Sequence, residues 1–122
     1  MLYAILCYDQ EDIVWAWAKE KNDQVMENLG AVTQGWAEQG RLGPVARLMP
    51  TTAATTVRKG AEPLVIDGPF AETKEQLLGF YVVECEGLDQ AVAAAQELAK
   101  ASASEGAYEI RPLALYRNGG AA

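Results

Sequence analysis

The first stretch of the chain, LYAILCY at residues 2–8, is apolar throughout, and its β-branched and aromatic content predicts a strand. From residue 11 to about residue 39 the pattern takes on a helical period. Val25, Leu29, Val32 and Trp36 fall at the i, i+4, i+7, i+11 spacing of one buried stripe; Gly30 and Gly35 weaken the helix and Gly40 closes it. The Gly43-Pro44 pair predicts a turn, followed by an extended segment at 45–49 that Pro50 interrupts. ATTVR (54–58) and LVI (64–66) predict two strands joined through KGAE (59–62). LGFYVVEC (78–85) carries the strongest strand signal in the chain. An alanine-rich helix is predicted over 89–101, with Leu88, Val92, Ala95 and Leu98 or Ala99 facing inward, and a last strand over 108–116. One domain over 1–117 is expected, with 118–122 as a loose tail.

With the 54–66 hairpin set aside as an insertion, the order is strand, helix, strand, strand, helix, strand, which is that of a ferredoxin-like α+β sandwich. Two helices cover one face of such a sheet. The first strand and the 78–85 strand are nevertheless apolar on both faces, since Leu2, Ala4 and Leu6 alternate with Tyr3, Ile5 and Cys7, and Phe80 and Val82 with Tyr81 and Val83. A homodimer packed sheet to sheet is the expected cover for the second face, in a dimeric α+β barrel. These two strands are read as parallel neighbours, a reading that places Cys7 and Cys85 at one edge of the sheet, close in space, reduced and unbridged.

Composition narrows the function classes. The 122 residues are 50% apolar, enough for a core without metal or disulfide staples. A net charge of −7 with scattered Lys and Arg argues against a nucleic-acid or anionic-membrane surface. The apolar N-terminus lacks a charged leader and is too short for a membrane span, so the chain is read as cytoplasmic. No histidine is present, which removes Ser-His-Asp and Cys-His triads and His-ligated zinc; with no phosphate-loop motif either, the residues imply no metal and no cofactor. Acid–base work would fall to Asp, Glu, Tyr, Lys or Cys.

The segment DGPFAETKE (67–75) concentrates the candidate chemistry. Gly68-Pro69 ends regular structure, so Asp67 stands at a strand end beside the apolar corner of Pro69 and Phe70. In a functional reading Asp67 is a general base or a ligand-orienting acceptor, Glu72, Lys74 and Glu75 line the rim, and Arg58 or Arg111 holds an anionic group. The plainer reading makes Asp67 a turn aspartate that bonds its own backbone, Phe70 a plug in the core, 72–75 a solvated loop and Arg111 the ion-pair partner of Glu109. Trp36 belongs to the helical stripe, whereas Trp15 and Trp17 cannot both face inward. Tyr3, Tyr8 and Tyr81 either donate a phenolic proton in a pocket or pack in the sheet.

ATTVR (54–58), DGPFAETKE (67–75), Gly79-Phe80-Tyr81 and Glu109-Ile110-Arg111-Pro112 together resemble the YCII-related family of the DGPF-motif type, over nearly the whole chain. The resemblance implies a dimeric α+β barrel of the ferredoxin-like kind. It names no reaction: some relatives have been proposed as enzymes with a His-Asp pair, and this chain has no histidine to carry that pair. The DGPF branch is often encoded beside extracytoplasmic-function sigma factors, so the resemblance also implies a non-catalytic binding or regulatory module as the alternative to a small-molecule site centred on Asp67.

Overall fold

The apolar N-terminal run forms β1 (Leu2–Asp9), the centre of a four-stranded sheet, in a computed structural model that describes residues 1–119. A short helix α1 (Glu11–Val14) and the long helix α2 (Lys19–Glu38) lead to the edge strand β2 (Leu42–Arg47). A 3-10 turn (Thr51–Ala53) precedes a separate two-stranded sheet of β3 (Thr55–Arg58) and β4 (Leu64–Asp67). The chain then returns through β5 (Gln76–Glu84), α3 (Leu88–Ser102) and β6 (Ala107–Pro112). The main sheet has the order β2-β5-β1-β6 and is antiparallel at every pairing. The result is a mixed α+β domain whose strand order is consistent with the ferredoxin-like arrangement.

One face of the sheet holds the core. Tyr3, Ile5, Val83 and Cys85 point to the same side and meet Trp36 of α2 and Ala91, Ala94, Ala95 and Leu98 of α3. Trp36 is 1% exposed and lies edge-on to Tyr81, with ring centroids 6.2 Å apart. Its indole N–H is buried with no hydrogen-bond partner among the described residues, so packing and the contact with the Tyr81 ring hold it in place. On the opposite face Leu2, Ala4, Leu6 and Phe80 remain partly exposed.

Several expectations are corrected by this architecture. β1 and β5 run antiparallel, because β5 returns along β1 with Leu2 opposite Glu84 and Cys7 opposite Gly79. Cys7 and Cys85 therefore share a face but not an end. The Cys85 N–H donates to the Met1 carbonyl, while Cys7 lies six residues further along β1, roughly 20 Å away at ~3.4 Å per residue. Both are free thiols; Cys85 is buried and Cys7 partly so.

The single helix expected over 11–39 breaks at residues 15–18, where Ala18 leaves the helical region with ψ 153° before α2 begins. The break lets Trp15 and Trp17 take different surroundings. Gly43-Pro44 is not a turn but part of β2, where the ladder shifts register between Leu42 and Val45; an edge strand tolerates a residue with no N–H. On α3 the buried face is Ala91, Ala94, Ala95, Leu98 and Ser102, whereas Leu88 and Val92 are exposed. Ala95 and Leu98 face inward as expected; the small Ala91 and Ala94 allow α3 to approach the sheet beside the bulky Trp36, and this turns Leu88 and Val92 outward. β6 stops at Pro112 rather than at 116, and the expected tail, from residue 120 onward, lies outside the described residues.

Candidate functional site

Across the sheet, Arg47 of β2 pairs with Gly79 of β5, Gly79 with Cys7 of β1, and Cys7 with Tyr108 of β6. Directly paired residues project to one side, so this rung carries a cation, a gap, a thiol and a phenol on the helix-facing surface. The gap is obligatory. A Cβ on Gly79 would lie 2.3 Å from the Ala46 carbonyl oxygen and 3.2 Å from Arg47 Cα, so the close approach of β2 requires glycine there. Above this rung, between sheet and α2, is a cavity of about 120 Å³. Val25, Met26 and Leu29 of α2 line its roof and Trp17 one wall; Tyr81, Asp9 and Ser102 add further polar groups.

Each polar side chain has a distinct state. Burial, reinforced by the charge of Asp9, pushes the Cys7 thiol up to about 11, against the opposing influence of the Tyr108 hydroxyl and Arg47. Burial, then the neighbouring Cys7, pushes the Tyr81 phenol up to about 12, and Tyr108 is raised further by burial and by Cys7 and Tyr81. The Tyr81 and Tyr108 rings meet at 64° with centroids 6.5 Å apart. At neutral pH the floor of the cavity is therefore a set of uncharged hydrogen-bonding groups. Asp9 is 7% exposed, and its Oδ1 accepts the Gln10 N–H at 2.9 Å. Gly106 seals the side behind it, since a Cβ there would lie 1.9 Å from the Tyr8 carbonyl oxygen and 2.8 Å from Asp9 Cγ.

Arg47 stands at the mouth. Its guanidinium carbon is 4.6 Å from the centroid of the Trp15 ring and its Nη1 is 3.5 Å from Met26 Sδ. The surrounding segments are tied together by Glu11. Its carboxylate accepts hydrogen bonds from the Thr51 hydroxyl and from the Thr51 N–H, the latter at 2.9 Å, while the Glu11 N–H donates to Gln76 Oε1 at 3.0 Å. α1, the 3-10 turn after β2 and the start of β5 are thus joined.

The residues singled out in the sequence lie elsewhere. Asp67 ends β4 opposite Thr55 and is exposed; in its turn the Gly68 N–H donates to the Ala54 carbonyl at 2.7 Å and the Thr56 hydroxyl to the Gly68 carbonyl at 2.7 Å. Gly68, at φ 97°, occupies a conformation that other residues rarely adopt. Arg58 pairs with Leu64 at the opposite end of this hairpin, so it does not converge on Asp67. Phe70 is 77% exposed: it neither plugs the core nor walls an apolar corner. Glu72 and Lys74 are exposed in the segment leading to β5. Arg111 projects from β6 opposite Ala4, on the face away from the helices, and pairs with Glu109. None of these six residues lines the cavity.

Of the polar side chains that line the cavity, the sequence singled out Tyr81 but not Asp9, Arg47 or Tyr108, and Cys7 was read as packing. Two signals pointed toward them. Asp9 is a carboxylate directly after an apolar strand, and Gly79 is a glycine inside the strongest strand, a mark of close backbone approach. Among the described residues, no three His, Cys, Asp or Glu side chains come together as a metal cluster, and no helix is long and apolar enough to cross a membrane.

The chain resembles an uncharacterized protein from Rhizobium meliloti (strain 1021), with 58% identity over 120 residues that cover 98% of this chain and 97% of that protein. The model of the YCII-related domain matches residues 1–116, nearly the full length. This protein belongs to the YCII-related domain family.

Proposed function

We propose that this protein is a homodimeric, cytoplasmic member of the DGPF-motif type that binds a small molecule in the cavity above the Arg47–Gly79–Cys7–Tyr108 rung. The observation that carries this reading is the cavity itself: a largely apolar hollow with a few convergent polar groups is the usual form of a ligand site. Its chemistry favours recognition over nucleophilic attack. A thiol raised to about 11 is protonated at pH 7, and the neutral Tyr81 and Tyr108 hydroxyls supply hydrogen bonds without proton abstraction.

The dimer is supported by the uncovered face of the sheet and by the hairpin, where Val57, Leu64, Val65 and Phe70 are 58–77% exposed. In the dimer the DGPF turn, with Asp67, Glu72, Lys74 and the neighbouring Arg58, and the outer-face Arg111 would stand at or near the contact, where a second, Asp67-centred site is the competing location for a ligand. The same exposed hairpin favours the alternative reading, a regulatory module whose partner is an extracytoplasmic-function sigma factor; that link rests on the DGPF resemblance.

Three measurements test these statements. In a thermal-shift screen of a diverse small-molecule library, hits should stabilise the wild type and lose their effect in Val45→Trp, which fills the cavity mouth from an exposed edge position, while Asp67→Asn leaves them unchanged. Loss of the effect in Asp67→Asn alone would move the site to the hairpin. Light scattering at micromolar concentration should give twice the chain mass, because an interface of the obligate kind buries on the order of 2,000 Å² or more; a stable monomer would contradict the dimer. The third measurement follows stability against pH. A thiol whose folded value lies above its unfolded value holds its proton more tightly when folded, so its contribution is complete below the ordinary thiol range and is lost as pH rises from about 9 toward about 11. The urea midpoint should fall across that window, and Cys7→Ala should fall less steeply; parallel curves would refute the buried, protonated thiol.

A further inference from the structure

The cavity contains two formal charges of opposite sign that are not paired with each other. Asp9 is buried, and the Gln10 N–H is its only hydrogen-bond donor among the described residues, which leaves the second carboxylate oxygen without a partner. Arg47 touches a thioether and a ring face but forms no ion pair; the ion pairs among the described residues are Met1 with Glu84, Lys19 with Asp23 and Arg111 with Glu109. A buried carboxylate without a cation is costly, and a guanidinium beside a cavity presents a planar fork suited to a carboxylate. Both charges act on the Cys7 thiol, with opposite signs, as expected if they flank one space.

The lattice of the sheet sets the separation. Arg47 is two strands from β1 on the Cys7 rung, and Asp9 is two residues further along β1. With ~4.8 Å between strands and ~3.4 Å per residue, their Cα atoms are roughly 12 Å apart. Most of that span is covered by the two side chains, so a ligand bridging them needs charges only a few bonds apart. Val25 and Leu29 of α2, with Val14, present apolar surface to whatever lies between. About 120 Å³ is several times the roughly 10–15 Å³ needed to admit one water, so the cavity has room for a small molecule.

We propose that the cavity takes a small zwitterion with an apolar body, of the class of the free apolar amino acids, its ammonium held by Asp9 and its carboxylate by Arg47, with the body against α2. This inference rests on the small-molecule reading above and narrows it. A simple apolar acid leaves Asp9 without a cation, and a simple amine leaves Arg47 without an anion, so each singly charged analogue forgoes one charge-assisted contact.

The test is calorimetric titration of the whole protein with leucine, with 4-methylpentanoate, which lacks the ammonium, and with 3-methylbutylamine, which lacks the carboxylate. Leucine should bind at least about tenfold more tightly than either analogue, the equivalent of one charge-assisted hydrogen bond at ~1.4 kcal/mol. In Asp9→Asn the advantage over 4-methylpentanoate should vanish, and in Arg47→Met the advantage over 3-methylbutylamine should vanish, each variant first being shown to melt cooperatively. Should Asp9→Asn fail to fold, Arg47→Met together with Arg47→Lys carries the decision, since lysine should restore part of the carboxylate preference. Equal or tighter binding of 4-methylpentanoate, or an advantage that survives in the folded variants, overturns the zwitterion. No binding of leucine, while library hits still depend on an open Val45 mouth, also overturns the zwitterion but leaves the small-molecule site standing; if no hit depends on that mouth, both fall.

Discussion

The close approach of β2 to Gly79 is the constraint on which the site depends. A strand pair ordinarily carries a side chain at every position, and here the Ala46 carbonyl occupies the space that a Cβ would need. That contact draws the C-terminal end of β2 inward and sets Arg47 on the same rung as Cys7 and Tyr108. With any larger residue at 79 the edge strand would have to move away, and the cation would leave the mouth with it. The Glu11 contacts to Thr51 and Gln76 tie α1 to the 3-10 turn and to the start of β5.

The electrostatic character of the cavity follows from depth. Cys7, Tyr81 and Tyr108 lie far enough from water that the neutral forms dominate, and Cys7 raises the cost of ionising both phenols, whereas the Tyr108 hydroxyl eases that of Cys7. The interior thus holds one acidic side chain, Asp9, with the Arg47 guanidinium at the rim. Such a division suits orientation of a dipolar molecule, and it withholds the activated nucleophile that a covalent mechanism would use. In a chain with no histidine, the polar lining of the cavity is made of carboxylate, guanidinium, phenol, thiol, hydroxyl and amide groups.

The sequence made the fold legible where the period was long or the run strongly apolar. Val25 and Trp36 are buried as their stripe predicts, and β1, β4 and β5 form where β-branched and aromatic residues cluster. Strand direction was misread, because alternation assigns a face to Cys7 and Cys85 but does not say which way a partner strand runs. On α3, Ala95 and Leu98 are buried as read, whereas Leu88 and Val92 were misread because bulk was taken for burial; Ala91 and Ala94 take the inward positions beside Trp36. The cavity was hidden for a different reason. Asp9, Arg47, Gly79 and Tyr108 are far apart in sequence and meet only through the antiparallel register, whereas DGPFAETKE is contiguous and drew notice to a hairpin that does not line the cavity.

The central claim is that the functional pocket is the space above Gly79 and not the DGPF turn. Its most direct test is a crystal structure of the whole protein grown with the tightest-binding hit of the library screen. The account predicts ligand density between the sheet and α2, in contact with Arg47 and within hydrogen-bonding distance of Asp9 or Tyr108. Density confined to the hairpin around Asp67, with the space above Gly79 unchanged, would contradict it.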